Sequence, residues 1–293
     1  MTALIIGEAL LDVTHERGRS LAVPGGSPAN VALGLGRLGR SPLLHTSIGD
    51  DDAGLRIRAH LETSGVAVTP TSIGTASTSL AHARLADDGD ARYDFEISWD
   101  PAAPPVENAE LVHVGSIGSW LLPGSATVAA ALADARERGA VITYDPNIRL
   151  SIAADEETRR RILRSVAASD LVKLSDEDAA WLFPGLDPDA VLDEILSRGP
   201  RLAALTLGGD GGMLASPTHR VTCPAVAARV VDTIGAGDTF MTMLVDALIS
   251  SPGLLAGGDP AALGRTLERA LRGAAITVSR AGADLPWLAE LPR

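Results

Sequence analysis

Three small residues, Gly235–Gly237, stand directly before an aspartate and an apolar helical pattern. The pattern places them at a helix N-terminus, where unpaired N–H groups and the positive end of the dipole favour an anion. Small residues let such an anion come close to the backbone. Asp238 falls in the first turn, where it can accept a proton from an attacking hydroxyl. Helix capping would explain the aspartate but not the three residues before it, so the run predicts oxyanion or phosphoryl-transfer chemistry.

Two other kinds of glycine-rich nucleotide site do not suit their surroundings in this sequence. A P-loop needs Gly-Lys-Ser or Gly-Lys-Thr, but the single lysine, Lys173, is not near a glycine cluster. The stretch Gly34–Gly39 matches G-x-G-x-x-G, a pattern that binds a dinucleotide only between a strand and the helix it opens. Two prolines and paired glycines precede it, so no buried strand is expected there. These glycines are predicted to lie in a helix, which disfavours an oxidoreductase.

Composition and charge narrow the function further. The chain has 293 residues, of which 46% are hydrophobic, and a formal net charge of −12. No nucleic-acid partner is expected, because binding to phosphate backbones requires a basic face. The single cysteine excludes a disulfide framework, and the histidines lack the spacing of a zinc site. Without a basic leader segment or a membrane-length apolar run, the protein is predicted to be cytoplasmic and to have no membrane partner.

Alternating strand-like and helix-like segments must position the candidate residues. The apolar runs predicted as strands are Leu4–Ile6, Leu43–Ile48, Leu111–Val114, Val141–Tyr144, Leu171–Leu174 and Leu202–Leu207. The segments predicted as helices are Pro28–Leu38, Ala53–Thr63, Ser125–Arg138 and Thr158–Ala168. This order predicts right-handed crossovers and a mostly parallel sheet covered by helices on both faces, which is an α/β fold.

One region interrupts the alternation of strands and helices. Residues 78–98 alternate apolar and polar side chains around a turn signal, Asp88-Gly89-Asp90, and are predicted to form a hairpin. An extended piece, Val13–Val23, is expected to pair with that hairpin. Together they predict a small β-sheet lid from segments at about 12–24 and 75–100. Because no linker or repeat divides the sequence, residues 1–293 are predicted to form a single domain.

Two motifs carry a resemblance to a known family. DTIGAGDTF, residues 232–240, resembles the C-terminal signature of the ribokinase-like (PfkB) carbohydrate kinases. GGSPANVALGLGRLG, residues 25–39, resembles the N-terminal signature of the same family. The resemblance extends from GEALLD at residues 7–12 to AAITVSRAGA at residues 274–283. It implies a ribokinase-like, three-layer α/β/α fold with a lid, and an ATP-dependent sugar kinase.

The resemblance also implies roles for individual residues. Asp238 corresponds to the family's catalytic base, and the N–H groups of Gly235, Ala236 and Gly237 correspond to its anion hole. The residues implied to contact the sugar are Asp12, placed at the end of the first strand, with Gly25, Gly26, Asn30, Asn147 and Arg149, and Phe95 in the lid. Asn147 and Arg149 belong to a D-x-N-x-R segment, for which a plain strand-to-helix turn is the alternative interpretation.

The same resemblance implies a site for ATP and for metal ions. The residues implied to line the nucleotide site are Lys173, Ser175, Thr206, Gly208, Gly209 and Gly211. The family often has N-x-x-E where this chain reads SDED, so the acidic group that would hold Mg²⁺ through water is either Glu177 or Asp178. A K⁺ site is implied near Asp232, Ile234 and Gly282.

The substrate is predicted from finer sequence details. GEALLD, GGSPANVA and KLSDED look more like bacterial fructokinases than ribokinases, so D-fructose is expected to give D-fructose 6-phosphate. A kinase of ribose, 2-keto-3-deoxygluconate or a nucleoside is the alternative, and so is a non-catalytic sugar-binding protein of the same fold. Because many family members dimerise through the lid sheet, the resemblance also implies a homodimer.

Overall fold

The computed structural model describes residues 1–16, 19–85, 91–152, 155–257 and 259–291. Their strands are β1 (Ala3–Ile6), β2 (Leu10–Glu16), β3 (Arg19–Gly25), β4 (Leu43–His45), β5 (Ile48–Gly49), β6 (Ala67–Val68), β7 (Ile73–Gly74), β8 (Leu80–Leu85), β9 (Ala91–Glu96), β10 (Leu111–Gly115), β11 (Val141–Asp145), β12 (Leu171–Ser175), β13 (Leu202–Thr206), β14 (Gly212–Ala215) and β15 (Arg220–Cys223). Their α-helices are α1 (Ser27–Arg37), α2 (Asp52–Glu62), α3 (Ser116–Trp120), α4 (Gly124–Glu137), α5 (Glu156–Ala167), α6 (Asp176–Leu182), α7 (Pro188–Ser197), α8 (Ala236–Ser250) and α9 (Pro260–Val278).

The main sheet forms the middle layer of the fold. Among the described residues it has nine strands in the order β15-β14-β13-β12-β11-β10-β1-β4-β6. The strands from β13 to β6 run parallel, and β14 and β15 complete one edge in antiparallel fashion. Strands β1 and β10 are buried along their whole length because helices cover both faces, which explains their continuous apolar runs. The predicted α/β fold is confirmed.

Helices cover the sheet in two layers, each with its own hydrophobic core. On one face, α1, α2, α8 and α9 pack around buried side chains such as Leu33, Ile57, Phe240 and Leu267. On the other face, α3 to α7 pack around a second cluster that contains Trp120. Side chains alternate between the two cores along each strand, so polar groups at a strand end can face α1 and α8 while their neighbours stay buried on the opposite side.

The strand order points to a crevice at the carboxyl ends of the central strands of the main sheet. Strand β1 pairs with β10 on one side and with β4 on the other. The chain proceeds from β1 to β4 and β6 in one direction along the sheet, and then returns past β1 to β10 and continues in the other direction. In open parallel sheets, ligands bind beyond the carboxyl ends of the strands at this point of reversal. The candidate site should therefore lie beyond the ends of β1, β10 and β11.

A smaller sheet lies beside this crevice, as predicted. It contains four strands in the order β3-β2-β8-β9 among the described residues. Strand β2 pairs with β3 in antiparallel and with β8 in parallel fashion, so the predicted pairing of the two irregular segments is confirmed. The turn predicted at residues 88–90 lies outside the described residues.

Two local predictions were wrong. The run Leu43–Ile48 is not one strand but two, β4 and β5, because the Thr46 amide donates to Ser72 Oγ (2.8 Å) instead of continuing the ladder. Asp12 does not end the first strand, which stops at Ile6, but lies within β2 of the small sheet. The buried Gly7–Ala9 stretch separates these strands. Within the described ranges, no helix is long and apolar enough to cross a membrane.

Candidate active site

Asp238 occupies the centre of the candidate site. It lies in the first turn of α8 and is buried. Ser27 Oγ donates to one of its carboxylate oxygens (2.6 Å), and Asn30 Nδ2 donates to the other (2.7 Å). Both donors come from the first two turns of α1, so the packing of α1 against α8 fixes the carboxylate in one orientation. A carboxylate held in this way can accept a proton from a ligand hydroxyl without first having to be oriented.

The loop before Asp238 brings its backbone close to other groups. Gly235 has a left-handed φ of 80°, and a methyl group built on it would lie 2.8 Å from Ala283 Cβ. Within the described residues, the Gly235 and Gly237 amides donate to no other residue, whereas the Ala236 amide donates to Thr233 O (3.3 Å). The open N–H groups and the N-terminus of α8 suit an anion.

A buried ion pair lies beneath this loop. Lys173 Nζ is 2.9 Å from Asp145 Oδ2, and both side chains are almost fully buried. Asp145 ends β11, and Lys173 lies in the middle of the neighbouring strand β12. A methyl group built on Gly237 would lie 3.1 Å from Lys173 Nζ, so the glycine leaves room for the ammonium group. Burial lowers the pKa of Lys173, but Asp145, Asp178 and Asp238 outweigh that effect and raise it overall. The lysine therefore stays positively charged beside the anion-binding loop.

Asp178 connects the ends of two strands. Its Oδ1 accepts from the Ile148 amide (2.8 Å) and its Oδ2 from the Ser175 amide (3.1 Å), while Ser175 Oγ accepts from the Asp178 amide. These contacts form a capping box at the start of α6 and hold the loop after Asp145. Glu177, in contrast, is exposed. Of the two acidic candidates, Asp178 is the one that lies among the site's loops.

The candidate site offers few groups for direct metal coordination. Among the described residues, no three or more His, Cys, Asp or Glu side chains are arranged to hold a metal ion. Mg²⁺ in phosphoryl-transfer sites is commonly held by one or two carboxylates with substrate phosphates and water. Asp178 keeps lone pairs for such water, because each of its oxygens accepts only one of the hydrogen bonds above. The residues present therefore fit Mg²⁺ carried with a nucleotide.

A polar cavity of about 250 Å³ opens in front of Asp238. Its lining combines groups from the main sheet, the small sheet, α1 and α8, among them Asp12, Gly26, Asn30, Asn147, Arg149, Gly235, Gly237 and Asp238. Asp12 and Ala81 are register partners in β2 and β8, and both face this cavity, so the small sheet forms one of its walls. The cavity suits a small ligand with several hydroxyls.

The Asp12 carboxylate is available to such a ligand. No hydrogen bond to it from another described residue is seen, and the residue is exposed to the cavity. Desolvation by the surrounding groups still raises the pKa of Asp12 to about 6. The positive charge of Arg149 opposes this shift, and the negative charge of Asp238 adds to it. A side chain on Gly25 would collide with the carboxylate, so the glycine makes room for it. Gly26, with φ 103°, caps α1.

The other predicted residues fall into three places. Asn147 and Arg149 reach the cavity after a turn in which the Asn147 amide donates to Asp145 Oδ1 (3.2 Å). Ser175 and Thr206 end β12 and β13, beyond which lie the exposed Gly208 and Gly209 and the buried Gly211. The three residues expected near K⁺ are together, since Asp232 accepts from the amides of Ile234 (3.0 Å) and Gly282 (2.8 Å). The Phe95 side chain lies outside the described part of the structure, although its backbone pairs with Ala81.

Four site residues were missing from the sequence-based set. Ser27, Glu8 and Ser116 line the cavity, and Asp145 pairs with Lys173. Glu8 is buried, and its Oε2 accepts from the Gly118 amide (2.8 Å). Burial raises the pKa of Glu8 to about 7, although hydrogen bonds from Gly118 and Ser116 oppose the shift. Its position two residues after the buried strand β1 was a local signal that it lies close to a strand end.

Glu8 gives a prediction about stability and pH. The folded protein keeps a proton on Glu8 from pH 4.5 up to about 7, whereas the unfolded chain has already lost it. The free energy of unfolding of the wild type should therefore fall, relative to that of Glu8→Gln, as pH rises through this window. This fall in the free energy of unfolding should be on the order of 3 kcal/mol. Gln is the suitable replacement because its side-chain oxygen can still accept from the Gly118 amide. Urea unfolding at pH 5 and pH 8 measures it.

An exposed carboxylate provides the control for that comparison. Glu62→Gln, at the exposed end of α2, should leave the pH dependence of the wild type unchanged. If the difference in unfolding free energy between wild type and Glu8→Gln were the same at pH 5 and at pH 8, the folded protein would not hold an extra proton on Glu8.

Comparison with known proteins agrees with the geometry of this site. The family model described as pfkB family carbohydrate kinase matches residues 5–290. The chain is 34% identical over 252 residues to a fructokinase of Rhizobium leguminosarum bv. trifolii, covering 81% of this chain and 76% of that protein. It is 32% identical over 307 residues to a fructokinase of Klebsiella pneumoniae, covering 99% and 97%. The crystal structure of a Xylella fastidiosa fructokinase with bound ATP superposes with a TM-score of 0.84 at 25% identity, covering 99% of this chain and 95% of that one.

Proposed function

Because the chain belongs to the pfkB family of carbohydrate kinases and is a sugar kinase, we propose that it transfers the γ-phosphate of ATP to D-fructose. The product is D-fructose 6-phosphate. The observation that carries the proposal is Asp238, which Ser27 and Asn30 hold beside open amide groups at the mouth of a polar cavity. Fructokinases among the relatives support the choice of sugar.

Asp238 acts as the base in this mechanism. The C6 hydroxyl of the sugar forms a bond to the γ-phosphorus while the bond from that phosphorus to the β,γ-bridging oxygen breaks, and ADP leaves. The hydroxyl proton passes to the Asp238 carboxylate. The free amides of Gly235 and Gly237, the N-terminus of α8 and the Lys173 ammonium surround the transferring group with positive charge. Mg²⁺, bound with the phosphates and held by Asp178 through water, would neutralise their remaining charge.

The sugar occupies the cavity between the main sheet and the small sheet. The hydroxyls of the sugar are bound by Asp12, Asn30, Asn147 and Arg149. Gly25 leaves room for the Asp12 carboxylate, and Gly26 allows the turn into α1. Carboxylate, amide and guanidinium groups suit a polyol because each can engage neighbouring hydroxyls. The small sheet acts as a lid on a single kinase domain, and Phe95 contributes to it. Closing the lid excludes water that would otherwise take the phosphoryl group.

ATP lies along the ends of β12 and β13. Ser175, Thr206 and the glycine turn at residues 208–211 form this part of the site, and β12 also carries Lys173, which lies beside Gly237 of the anion-binding loop. The Xylella fastidiosa fructokinase, which has this fold, was solved with ATP bound. The glycines leave the turn free of side chains that would block the nucleotide.

The lid sheet also provides a surface for a homodimer. Leu21 and Val23 on β3 are 65% and 42% exposed, although both are apolar and lie two residues apart on one face of the strand. A two-fold contact between two lids would bury these side chains, since the same patch on each subunit can face its copy.

A coupled ADP-release assay with a panel of acceptors tests the proposed function. The acceptors are D-fructose, D-ribose, 2-keto-3-deoxygluconate and adenosine, each at the same concentration with saturating ATP. D-fructose should give the highest kcat/KM. A higher value for another acceptor would support the alternative substrates, and no ADP release with any of them would support a non-catalytic sugar-binding protein.

Replacing Asp12 tests the sugar cavity. Asp12→Ala should weaken fructose binding by roughly 10- to 150-fold, the expected loss of one hydrogen bond to a charged group. ATP binding should be unchanged, because Asp12 faces the cavity from the small sheet. Asp12→Asn is the matched variant, since it keeps polar atoms in place and should lose less. Calorimetry with each ligand separately measures both, and equal losses for sugar and ATP would contradict the assignment.

Metal dependence gives a further prediction. Removing Mg²⁺ with a chelator should abolish turnover, because the phosphate charge would then be left without its main counterion. Replacing Na⁺ by K⁺ should raise turnover, since Asp232 links the loop before α8 to Gly282 after α9 (2.8 Å), and an ion bound there would order the loop. Asp232→Asn should lose the K⁺ response. Identical rates in sodium and potassium buffers would exclude the K⁺ site.

A further inference from the structure

A second cavity, of about 560 Å³, lies on the opposite face of the main sheet between α4 and α5. We call it the α4–α5 cavity; it is lined by Ser119, Leu122, Ser125, Ala126, Ala129, Leu132, Ala133, Arg136, Glu157, Arg161, Arg164, Ser165 and Ala168. We propose that it binds a small organic anion with an apolar body, and that this ligand regulates the kinase. None of its lining residues belongs to the sugar cavity.

Charge identifies the class of ligand. The charged residues of the lining are three arginines and one glutamate, a net +2 in a chain whose net charge is −12. Arg136 donates to Ala168 O (2.9 Å), and Arg164 donates to Glu157 (2.9 Å). A guanidinium has five N–H donors, so each arginine keeps donors for an anion after these contacts. The α4–α5 cavity is therefore a local positive site.

The remaining lining explains why the ligand needs an apolar body. Ala126, Ala129 and Ala133 present small apolar side chains along α4, and the exposed Leu122 lies at one end. Ser125 lies on the same wall but is only 4% exposed, so the accessible part of this wall is apolar. Inorganic anions would leave the apolar wall unused.

The five-residue helix α3 connects the two cavities. Ser116 at its start lines the sugar cavity, and Ser119 lines the α4–α5 cavity. Ser119 Oγ donates to Ser116 O (2.7 Å) and lies 3.0 Å from Tyr144 OH. The two sites thus share one rigid wall, only one helical turn thick.

A second connection runs through Trp120. Arg161 Nε donates to Trp120 O (3.0 Å), and Trp120 Nε1 donates to Pro146 O (3.3 Å) in the loop that carries Asn147. A ligand that draws Arg161 towards itself would act on this loop. Occupancy of one cavity should therefore change the affinity of the other, and by linkage the factor is the same in both directions. This coupling rests on the proposed sugar site, whereas binding to the α4–α5 cavity does not.

Naphthalene-1-sulfonate is a suitable probe, because it joins an anion to a flat apolar body. Its binding is measured by calorimetry on the full chain without sugar or ATP. Arg164→Gln should weaken binding by about tenfold or more, as expected for a lost hydrogen bond to a charged group. Ala129→Phe should weaken it similarly by filling the cavity. Arg160→Gln is the matched control and should bind like wild type, since Arg160 also pairs with Glu157 but does not line the cavity.

The outcomes separate a specific site from its alternatives. Equal affinity in wild type, Arg164→Gln and Ala129→Phe would overturn the proposal, as would an equal loss in Arg160→Gln. Displacement of the probe by ATP in wild type would place it at the catalytic site and overturn the proposal too. Sodium sulfate and 1-naphthalenemethanol should each bind more weakly than the probe, and equal binding of either would refute the combined recognition. The coupling is tested by repeating the titration with saturating fructose once calorimetry has shown that fructose binds, and an unchanged probe affinity would then refute regulation alone.

Discussion

Asp238→Asn should fold like the wild type and lose turnover by roughly 10²–10⁴-fold, the usual contribution of a general base. Asn keeps the size of the side chain, and it can still bond to the two groups that hold the carboxylate: its Oδ1 can accept from Asn30, and its Nδ2 can donate to Ser27 Oγ. It cannot take the hydroxyl proton, because a neutral amide has no basic oxygen at neutral pH. The loss should appear in kcat, with little change in fructose affinity.

Steady-state kinetics with a thermal unfolding curve measures this effect. Asp52→Asn is the matched control, because it makes the same chemical change in the first turn of α2, away from the sugar cavity. It should keep wild-type turnover. An Asp238→Asn variant with turnover near that of the wild type would remove Asp238 from its role as the base.

Lys173→Met should destabilise the folded protein by about 3–5 kcal/mol, because it leaves the buried Asp145 carboxylate without its partner. Asp178 and Asp238 lie near enough to raise the pKa of the lysine, so removing its charge also leaves these carboxylates to repel each other. Turnover should fall as well, since the ammonium group lies beside Gly237.

Chemical denaturation measures this loss of stability, and a double variant provides the control. In Lys173→Met/Asp145→Asn no unpaired charge remains in that pair, so much of the stability should return. Turnover should stay low in the double variant, because the positive charge is still absent. If the free energy of unfolding of Lys173→Met lay within about 1 kcal/mol of the wild-type value, the pair would not be required for stability, since breaking a buried ion pair usually costs about 3–5 kcal/mol.

Much of the fold could be predicted from local sequence patterns. Strands such as β10 and β12 are continuous apolar runs between turn signals, because both faces of the sheet are covered. The hairpin strands β8 and β9 were recognisable from the alternation of apolar and polar residues in the sequence. The loop before α8 was predicted in its observed place because glycine and helix patterns are local in the sequence.

Contacts between distant parts of the chain could not be predicted in this way. Asp145 and Lys173 are 28 residues apart, and they meet only because β11 and β12 are neighbours in the sheet. Ser27 reaches Asp238 across 211 residues because α1 packs against α8. Glu8 owes its importance to the reversal of strand order beside β1, which no local pattern specifies. Strand order is decided by tertiary packing, and these parts of the site depend on it.

A competition experiment tests the proposed function most directly. The protein is given D-fructose, D-ribose, 2-keto-3-deoxygluconate and adenosine together in equal amounts, with Mg²⁺ and less ATP than any one of them. Phosphorus–proton correlation NMR then identifies the phosphorylated product and the carbon that carries the phosphate. We expect D-fructose 6-phosphate as the main product with wild type, and no product in the same time with Asp238→Asn. Phosphate on a different acceptor, or on a different carbon of fructose, would contradict the proposed substrate and the placement of its C6 hydroxyl beside Asp238.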